Sequence, residues 1–492
     1  MEEEQIRELT RLRPCGRLET YSTSRHDLGI YHNVALTTTY SSTDPQTRDL
    51  RGIVFDALHY TITKHACLSA VTVDEGEEYP HVKFARLPSI NLDDAVEFRQ
   101  RQAPLPADGQ SDEELDALLT EQHNRGFKQH LGKKPSWRLV IMTELSRPAF
   151  TASWIFHHAP VDGTSALLFH DTFLAGLRSA SKIDGHGPIV RPPDTPLQPP
   201  LEDLHPMNLS WRFLLRALWH EYAPALFHRK SDVVWTGSRV FSSRQSTPKC
   251  CFRTFVLSSH ITQRLVQVCR RERTSVTATL QCLFAASLFA IPTVANYDRL
   301  KMTGPVSMRR FLQIPKDQMM NAVTQYQYTH DRSAFKSHKK IAEGAEVTGM
   351  EYFSWEEARN AKSAIDAEVT KKGRDNPASL LRYVPNLHDF FTSKFGKPRD
   401  STAEVSNIGV YTTSDVSITK SIAADAAQGW GIGRMTFSQC PNLTGSAFGI
   451  NVVTGGDGNM TVNLCWGEDA VPESMITVLA EDVERSVLVL TT

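Results

Sequence analysis

Seven consecutive residues, His157, His158, Ala159, Pro160, Val161, Asp162 and Gly163, bring together two imidazoles, a carboxylate and a residue with no side chain. With 18 histidines and 27 glycines in 492 residues, HHxxxDG arises by chance roughly two times in a thousand. An imidazole with an ordinary pKa of about 6.5 can take a proton from an alcohol or an amine at neutral pH. Only one of the two histidines need do so. Asp162 can accept a hydrogen bond from that imidazole, as in a triad, or pair with a distant arginine and hold the loop in shape. Gly163 leaves room for a backbone or a substrate to come close. Two histidines and an aspartate also suit zinc or iron, but neighbouring histidines on a strand point to opposite faces and rarely share a metal, so no metal is expected. A core role with both histidines hydrogen-bonded is the plain alternative. No G-x-S-x-G elbow and no cysteine in an activating context suggest a nucleophile.

The neighbouring residues predict what positions this group. Pro160 excludes a regular helix, and FTASWIF before it predicts a strand ending at the histidines. After it, Leu167, Leu168, Phe169, Phe173, Leu174 and Leu177 recur at helical spacing. The seven residues therefore occupy a strand-loop-helix junction. Two strand-like runs, Trp137 to Leu145 and Phe150 to His158, are separated by Ser146, Arg147 and Pro148 and read as a hairpin. SDEELDALL predicts a helix opened by a capping box of Ser111 and Glu114. Leu28 to Ser42 reads as a strand, so strand and helix alternate in one unit.

Seven prolines between Pro188 and Pro206 argue against helix and sheet alike and predict an extended linker. The expected organisation is a first domain over 1–185, a linker and crossover helix over 186–245, and a second domain over 246–492. Within 208–230, apolar residues at helical spacing alternate with Arg212, Arg216 and His220. This fits a helix packed on a domain or one in peripheral contact with a membrane. Thr274 to Ile291 is apolar nearly all round and predicts a buried helix. The last ninety residues return to short strands with glycine-rich turns such as TGGDGN.

Balanced charge, 54 Lys+Arg against 55 Asp+Glu, argues against a nucleic-acid partner. Eight cysteines without a C-x-x-C pair, and an acidic amino terminus lacking an apolar core, predict structural thiols and a cytoplasmic location.

HHAPVDG resembles the HHxxxDG motif of the CoA-dependent acyltransferase superfamily, which includes chloramphenicol acetyltransferase, the plant BAHD enzymes and the condensation domains of peptide synthetases. PSWRLVIM (135–142) resembles the W-R-L motif of the yeast-type alcohol acetyltransferases. GRLETYSTSRHDLGIYHNV, GPVSMRR (304–310) and KPRDSTAEVSNIGV (397–410) are similar to other segments of that family, in the same order. The D-F-G-W-G motif of BAHD enzymes is absent. QGWGIGR (428–434) lacks its Asp and Phe, which favours the alcohol acetyltransferase branch.

The resemblance implies an α/β fold of two chloramphenicol-acetyltransferase-like domains, each a mixed sheet flanked by helices, with the active site in a tunnel between them. It implies His158 as the general base of direct attack on acyl-CoA, acetyl-CoA first, by the hydroxyl of a small hydrophobic alcohol. His157 would support it. Asp162 would form a structural salt bridge, with Arg17 or Arg25 as candidate partner, and Gly163 completes the motif. Ser406 and Asn407 are candidate oxyanion donors, although SN also reads as a turn. Arg309 would bind CoA phosphates or tie the domains together. No permanently bound cofactor and a monomeric state are expected, with ester biosynthesis in secondary metabolism as the setting. The alternatives are condensation with an acyl group on a carrier protein, and a silent binding protein on the same fold. The intact His158, Asp162 and Gly163 argue against the latter.

Overall fold

The computed structural model describes residues 6–42, 49–144, 149–180, 185–222, 234–335, 348–412 and 429–492. Two mixed sheets, each flanked by helices, form its two lobes. The first has the strand order Trp430–Gln439, Val34–Ser42, Ala149–Phe156, Trp137–Thr143, Val96–Gln100, parallel only at its last pair. The second runs Cys250–Leu257, Met460–Gly467, Ser446–Thr454, Ser401–Val410, Arg299–Ser307, Val323–Asp331, with parallel pairs on both sides of Ser401–Val410.

Ala149–Phe156 is the central strand of the first sheet, buried along nearly its whole length. On one face Trp154 stacks on Phe169 of helix Gly163–Ala180, centroids 4.1 Å apart. On the other, Ile155 packs with Leu115, Leu118 and Leu119 of helix Glu113–His123. A strand covered on both faces has no freedom to slip, because a one-residue shift would turn every side chain over. The expected hairpin is present as an antiparallel pair with Trp137–Thr143; Ser146, Arg147 and Pro148 lie outside the described residues. Arg138, of the W-R-L segment, donates to the carbonyls of Gln122 (2.5 Å) and Arg125 (2.9 Å), closing the C-terminal end of helix Glu113–His123.

Three sequence expectations change. The cap of Glu113–His123 is Asp112, not Ser111: Asp112 Oδ1 accepts from Leu115 N at 3.0 Å and is held by Arg101 at 2.6 Å. The proline-rich tract is not wholly free of structure, since Ile189–Val190 pairs with Ile90–Asn91 and one helical turn, Leu201–Leu204, starts after Pro200. And 246–492 is not a self-contained body: Trp430–Gln439 joins the first sheet beside Val34–Ser42, which would otherwise present an open edge. Cys250, Phe252, Met319, Val453 and Cys465 also share the first lobe's apolar cluster.

Helix Val276–Ala290 is buried almost throughout the second lobe, as its composition predicts. In helix Trp211–Tyr222, Trp211 (79% exposed), Leu215, Leu218 and Trp219 are exposed. Residues 223–230 of the same segment lie outside the described residues. No described helix is long and apolar enough to cross a membrane.

A buried polar chain stitches the lobes together. Tyr31 Oη donates to Gln439 Oε1 (3.0 Å), Gln439 Nε2 to Asn451 Oδ1 (2.8 Å), Asn451 Nδ2 to Asn463 Oδ1 (3.2 Å), and Asn463 Nδ2 to Thr254 Oγ1 (2.9 Å). Thr254 Oγ1 then donates to Asp116 Oδ1 at 2.6 Å, back in the first lobe. Asn451→Ala leaves one donor and one acceptor unmet in this chain and is expected to cost about 2–4 kcal/mol of stability, read by urea denaturation. An unchanged midpoint would show that the chain contributes nothing.

Candidate active site

The strand ends at Phe156 and the helix begins at Gly163, so the loop between them carries both histidines and Asp162. His158 Nδ1 lies 3.0 Å from the Val161 carbonyl. A carbonyl only accepts, so Nδ1 carries the proton and Nε2 keeps its lone pair. The His158 carbonyl accepts from Asn321 Nδ2 at 2.8 Å. Burial, then the nearby charge of Arg25, against a smaller opposing effect of Asp162, push the imidazole pKa down to about 4. His158 is therefore neutral at pH 7.

Asp162 is 1% exposed, and both its oxygens are taken by groups other than His158. Oδ1 accepts from Ser165 N (2.9 Å), capping helix Gly163–Ala180, and from Arg309 Nη2 (3.0 Å); Oδ2 accepts from Ala322 N (3.1 Å). The partner is thus Arg309, not Arg17 or Arg25. Arg309 also donates to the Gln318 and Met320 carbonyls at 2.6 and 2.8 Å and to Ser165 Oγ at 2.7 Å. Of the two roles expected for Arg309, its geometry is that of a tie between the lobes, and its guanidinium is turned to Asp162 rather than offered to a phosphate. Burial works to raise the Asp162 pKa, but Arg309 and the backbone N–H groups of Ser165 and Ala322 hold it below the usual range.

His157 faces the other way, into a buried group with His26 and Glu75. Glu75 Oε2 lies 2.6 Å from His26 Nδ1, and Glu75 Oε1 3.2 Å from His157 Nε2; the Thr72 hydroxyl also donates to Glu75. These three side chains are close enough to share a metal ion. However, His26 Nε2 accepts from Phe127 N (2.9 Å) and His157 Nδ1 from Ala159 N (3.0 Å), so the nitrogens facing Glu75 are N–H donors. The set fits a carboxylate held by two imidazoles better than a cation site. Burial works to raise the Glu75 pKa, and the two imidazoles outweigh it and hold the carboxyl below its usual range.

The second lobe meets the motif through strand Ser401–Val410. A Cβ on Gly163 would come within 2.6 Å of Ile408 Cγ2, so glycine is required by the approach of the lobes. Alternation along the strand puts Glu404 and Ser406 on the same face as Ile408. Asn407 points oppositely: it donates to Thr277 Oγ1 (3.0 Å) and accepts from Gly409 N (2.8 Å). The structure therefore brings Ser406 to the motif side and removes Asn407 from it. Sequence reasoning missed Asn321, Glu75 and His26. MMNAV lies 10 to 14 residues after Arg309 and carries no recognisable chemistry of its own.

Asp162→Ala removes one partner of a buried pair and a helix cap together. It is expected to lose about 3–5 kcal/mol in chemical denaturation. A loss below about 1 kcal/mol would show that the pair holds nothing in place.

A model of the alcohol acetyltransferase family matches residues 14–478. The probable alcohol acetyltransferase crmB of Aspergillus fumigatus is 33% identical over 475 residues, covering 94% of this chain and 96% of that protein. The probable alcohol acetyltransferase FCK4 of Fusarium pseudograminearum is 23% identical, over 97% of this chain and 95% of its own. Among solved structures, the TRI3 trichothecene 15-O-acetyltransferase of Fusarium sporotrichioides aligns with a TM-score of 0.66 at 12% identity, over 97% of this chain and 95% of that one. The first condensation domain of the CDA synthetase aligns at 0.59 and 12% identity, over 98% and 97%. These two likenesses establish the two-lobed acetyltransferase and condensation-domain fold, and the match along nearly the whole length places the chain in the alcohol acetyltransferase family.

Proposed function

We propose that the protein moves an acyl group, acetyl first, from acyl-CoA to an alcohol hydroxyl, with His158 as general base. The observation that carries this reading is the state of His158: Nδ1–H fixed on Val161, Nε2 unprotonated, and the pKa pushed down to about 4. The acceptor O–H gives its proton to Nε2 as the oxygen attacks the thioester carbonyl. The C–S bond then breaks, and the leaving thiolate takes the proton back from Nε2. No acyl-enzyme is needed. Ser406, whose hydroxyl lies on the strand face turned to the motif, is suited to donate to the transient oxyanion, a contact worth about 3 kcal/mol. His157, with Glu75 and His26, anchors the loop that presents His158. The reading takes acyl-CoA as co-substrate, no permanently bound cofactor, and a cytoplasmic monomer.

A second reading, transfer from a carrier-protein-bound acyl group, is favoured by the fold likeness to a condensation domain. Thiol release from acetyl-CoA in the presence of alcohols, with mass spectrometry of the ester, separates the two. Turnover only with an acylated carrier protein would select the second.

His158→Ala is expected to lower kcat by about 10²–10⁴-fold with an unchanged circular dichroism spectrum; full activity in that variant would overturn the base assignment. Because the imidazole stays neutral until about pH 4, kcat/KM should remain flat as the pH falls to about 5 and drop below it as Nε2 takes a proton. An acid limb near the ordinary value of about 6.5 would contradict the environment described for His158.

A further inference from the structure

Helix Trp211–Tyr222 carries its apolar residues on its more exposed side. Trp211, Leu215 and Leu218 recur at i, i+4 and i+7 and are 79%, 63% and 54% exposed, with Trp219 beside them at i+8. Phe213, Leu214 and Ala217, on the other side, are half-buried. A surface helix normally turns its apolar stripe to the core and its charges to water. Single exposed leucines need no explanation, but several large apolar residues together on one helix face mark a site of interaction.

The stripe is presented from a fixed base. Just before the helix, Ser210 donates through N to Asp375 Oδ1 (2.5 Å) and through Oγ to Asp375 Oδ2 (2.9 Å), and Asp375 N donates to the Asn208 carbonyl (2.9 Å). Arg382 holds the Met207 carbonyl at 2.9 Å, and His205 Nε2 the Lys372 carbonyl at 2.8 Å.

Cations border the stripe. Arg212 and Arg216 each follow a stripe residue by one position, about 100° around the helix, so they line one edge of it. Both are exposed, as are Lys371, Lys372 and Arg374 in the turn that anchors the helix start. Lys371 pairs with Glu368 (2.7 Å), and Arg374 Nε lies 3.9 Å from Asp375. Among the described residues, Arg212, Arg216 and Lys372 have no acidic partner. An apolar stripe edged by unpaired cations complements a surface that is apolar below and anionic above. Indole rings settle at the headgroup level, and arginine can keep its charge there while its stem lies along the apolar side. A second copy docked on the same face would instead bring like charges together. Twelve residues are too few to cross a bilayer, so the helix lies on it.

We propose that helix Trp211–Tyr222 docks the protein on the surface of a bilayer containing anionic phospholipid, with Trp211, Leu215 and Leu218 entering the interface and Arg212 and Arg216 meeting the headgroups. The inference stands apart from the acyl-transfer reading, because docking is read without turnover.

The test is co-sedimentation of the full chain with vesicles of phosphatidylcholine alone and of phosphatidylcholine with 30% phosphatidylserine. The wild type is expected to bind the mixed vesicles about tenfold or more tightly than the neutral ones, and to lose that advantage in about 0.5 M salt. Leu215→Asp with Leu218→Asp should abolish binding, while Arg212→Gln with Arg216→Gln should remove the preference for the anionic vesicles. Vesicles with brominated acyl chains should quench part of the tryptophan emission, and Trp211→Phe should reduce that quenching. Circular dichroism checks each fold; all these positions are exposed. A wild type that binds neither vesicle, or binds both equally, overturns the proposal, as does a Leu215→Asp, Leu218→Asp variant that binds like the wild type. Quenching unchanged in Trp211→Phe would show that the stripe does not enter the interface and overturns it too. Self-association in sedimentation velocity that is lost in the double aspartate variant, without vesicle binding by the wild type, would assign the face to a second copy instead.

Discussion

The geometry of the motif loop depends on one buried ion pair, Asp162 with Arg309, whose members lie 147 residues apart in different parts of the chain. Such a pair adds little net stability compared with apolar packing of the same volume, since both charges must leave water. What it adds here is position. The same carboxylate caps the helix that follows the loop and accepts from Ala322 N, while the same guanidinium binds the carbonyls of Gln318 and Met320. The segment that holds Arg309 therefore lies directly on the loop, and Asn321 in that segment grips the His158 carbonyl. His158 is held through its own main chain and through Val161, not by a carboxylate partner on its ring. The arrangement is not a triad.

Electrostatics around the loop follow from that choice. A carboxylate hydrogen-bonded to Nδ1 would favour the imidazolium; a backbone carbonyl there fixes the tautomer with less bias toward charge. Burial and Arg25 then keep the ring neutral. On the opposite side of the loop, His157 reaches Glu75, so the two adjacent histidines act in separate environments, as opposite side-chain directions require. One imidazole is taken up by internal hydrogen bonds, and the other keeps a free lone pair.

Much of this was legible from residue types. FTASWIF, the Pro160 break and the apolar spacing after Gly163 identified the strand, loop and helix, and the motif order identified the family and its two-lobed fold. Less legible was anything set by long-range pairing. Arg17 and Arg25 were reasonable partners for Asp162 on charge alone, and only the fold shows that Arg25 is stacked between tyrosines while Arg309 reaches the loop. The division at 246 also failed for a physical reason: sheet edges are closed by whatever strand arrives, and Trp430–Gln439 arrives from the far part of the chain. At SNIG the sequence supplied two candidate donors. Period-two alternation distinguishes them, but only once one residue of the strand has been anchored to a face.

That anchor is Ile408. Because a methyl group on Gly163 would clash with it, the motif glycine sets how near the strand Ser401–Val410 can come to the loop. Ser406 and Glu404 precede Ile408 by two and four residues on the same face, so their distance from His158 follows from the contact between Gly163 and Ile408. A longer side chain at 163 would have to push the strand away, and the hydroxyl and carboxylate it carries would retreat with it. The motif's last residue thus acts through the spacing of the lobes, joining the first sheet's base to the second sheet's polar face without taking part in the chemistry.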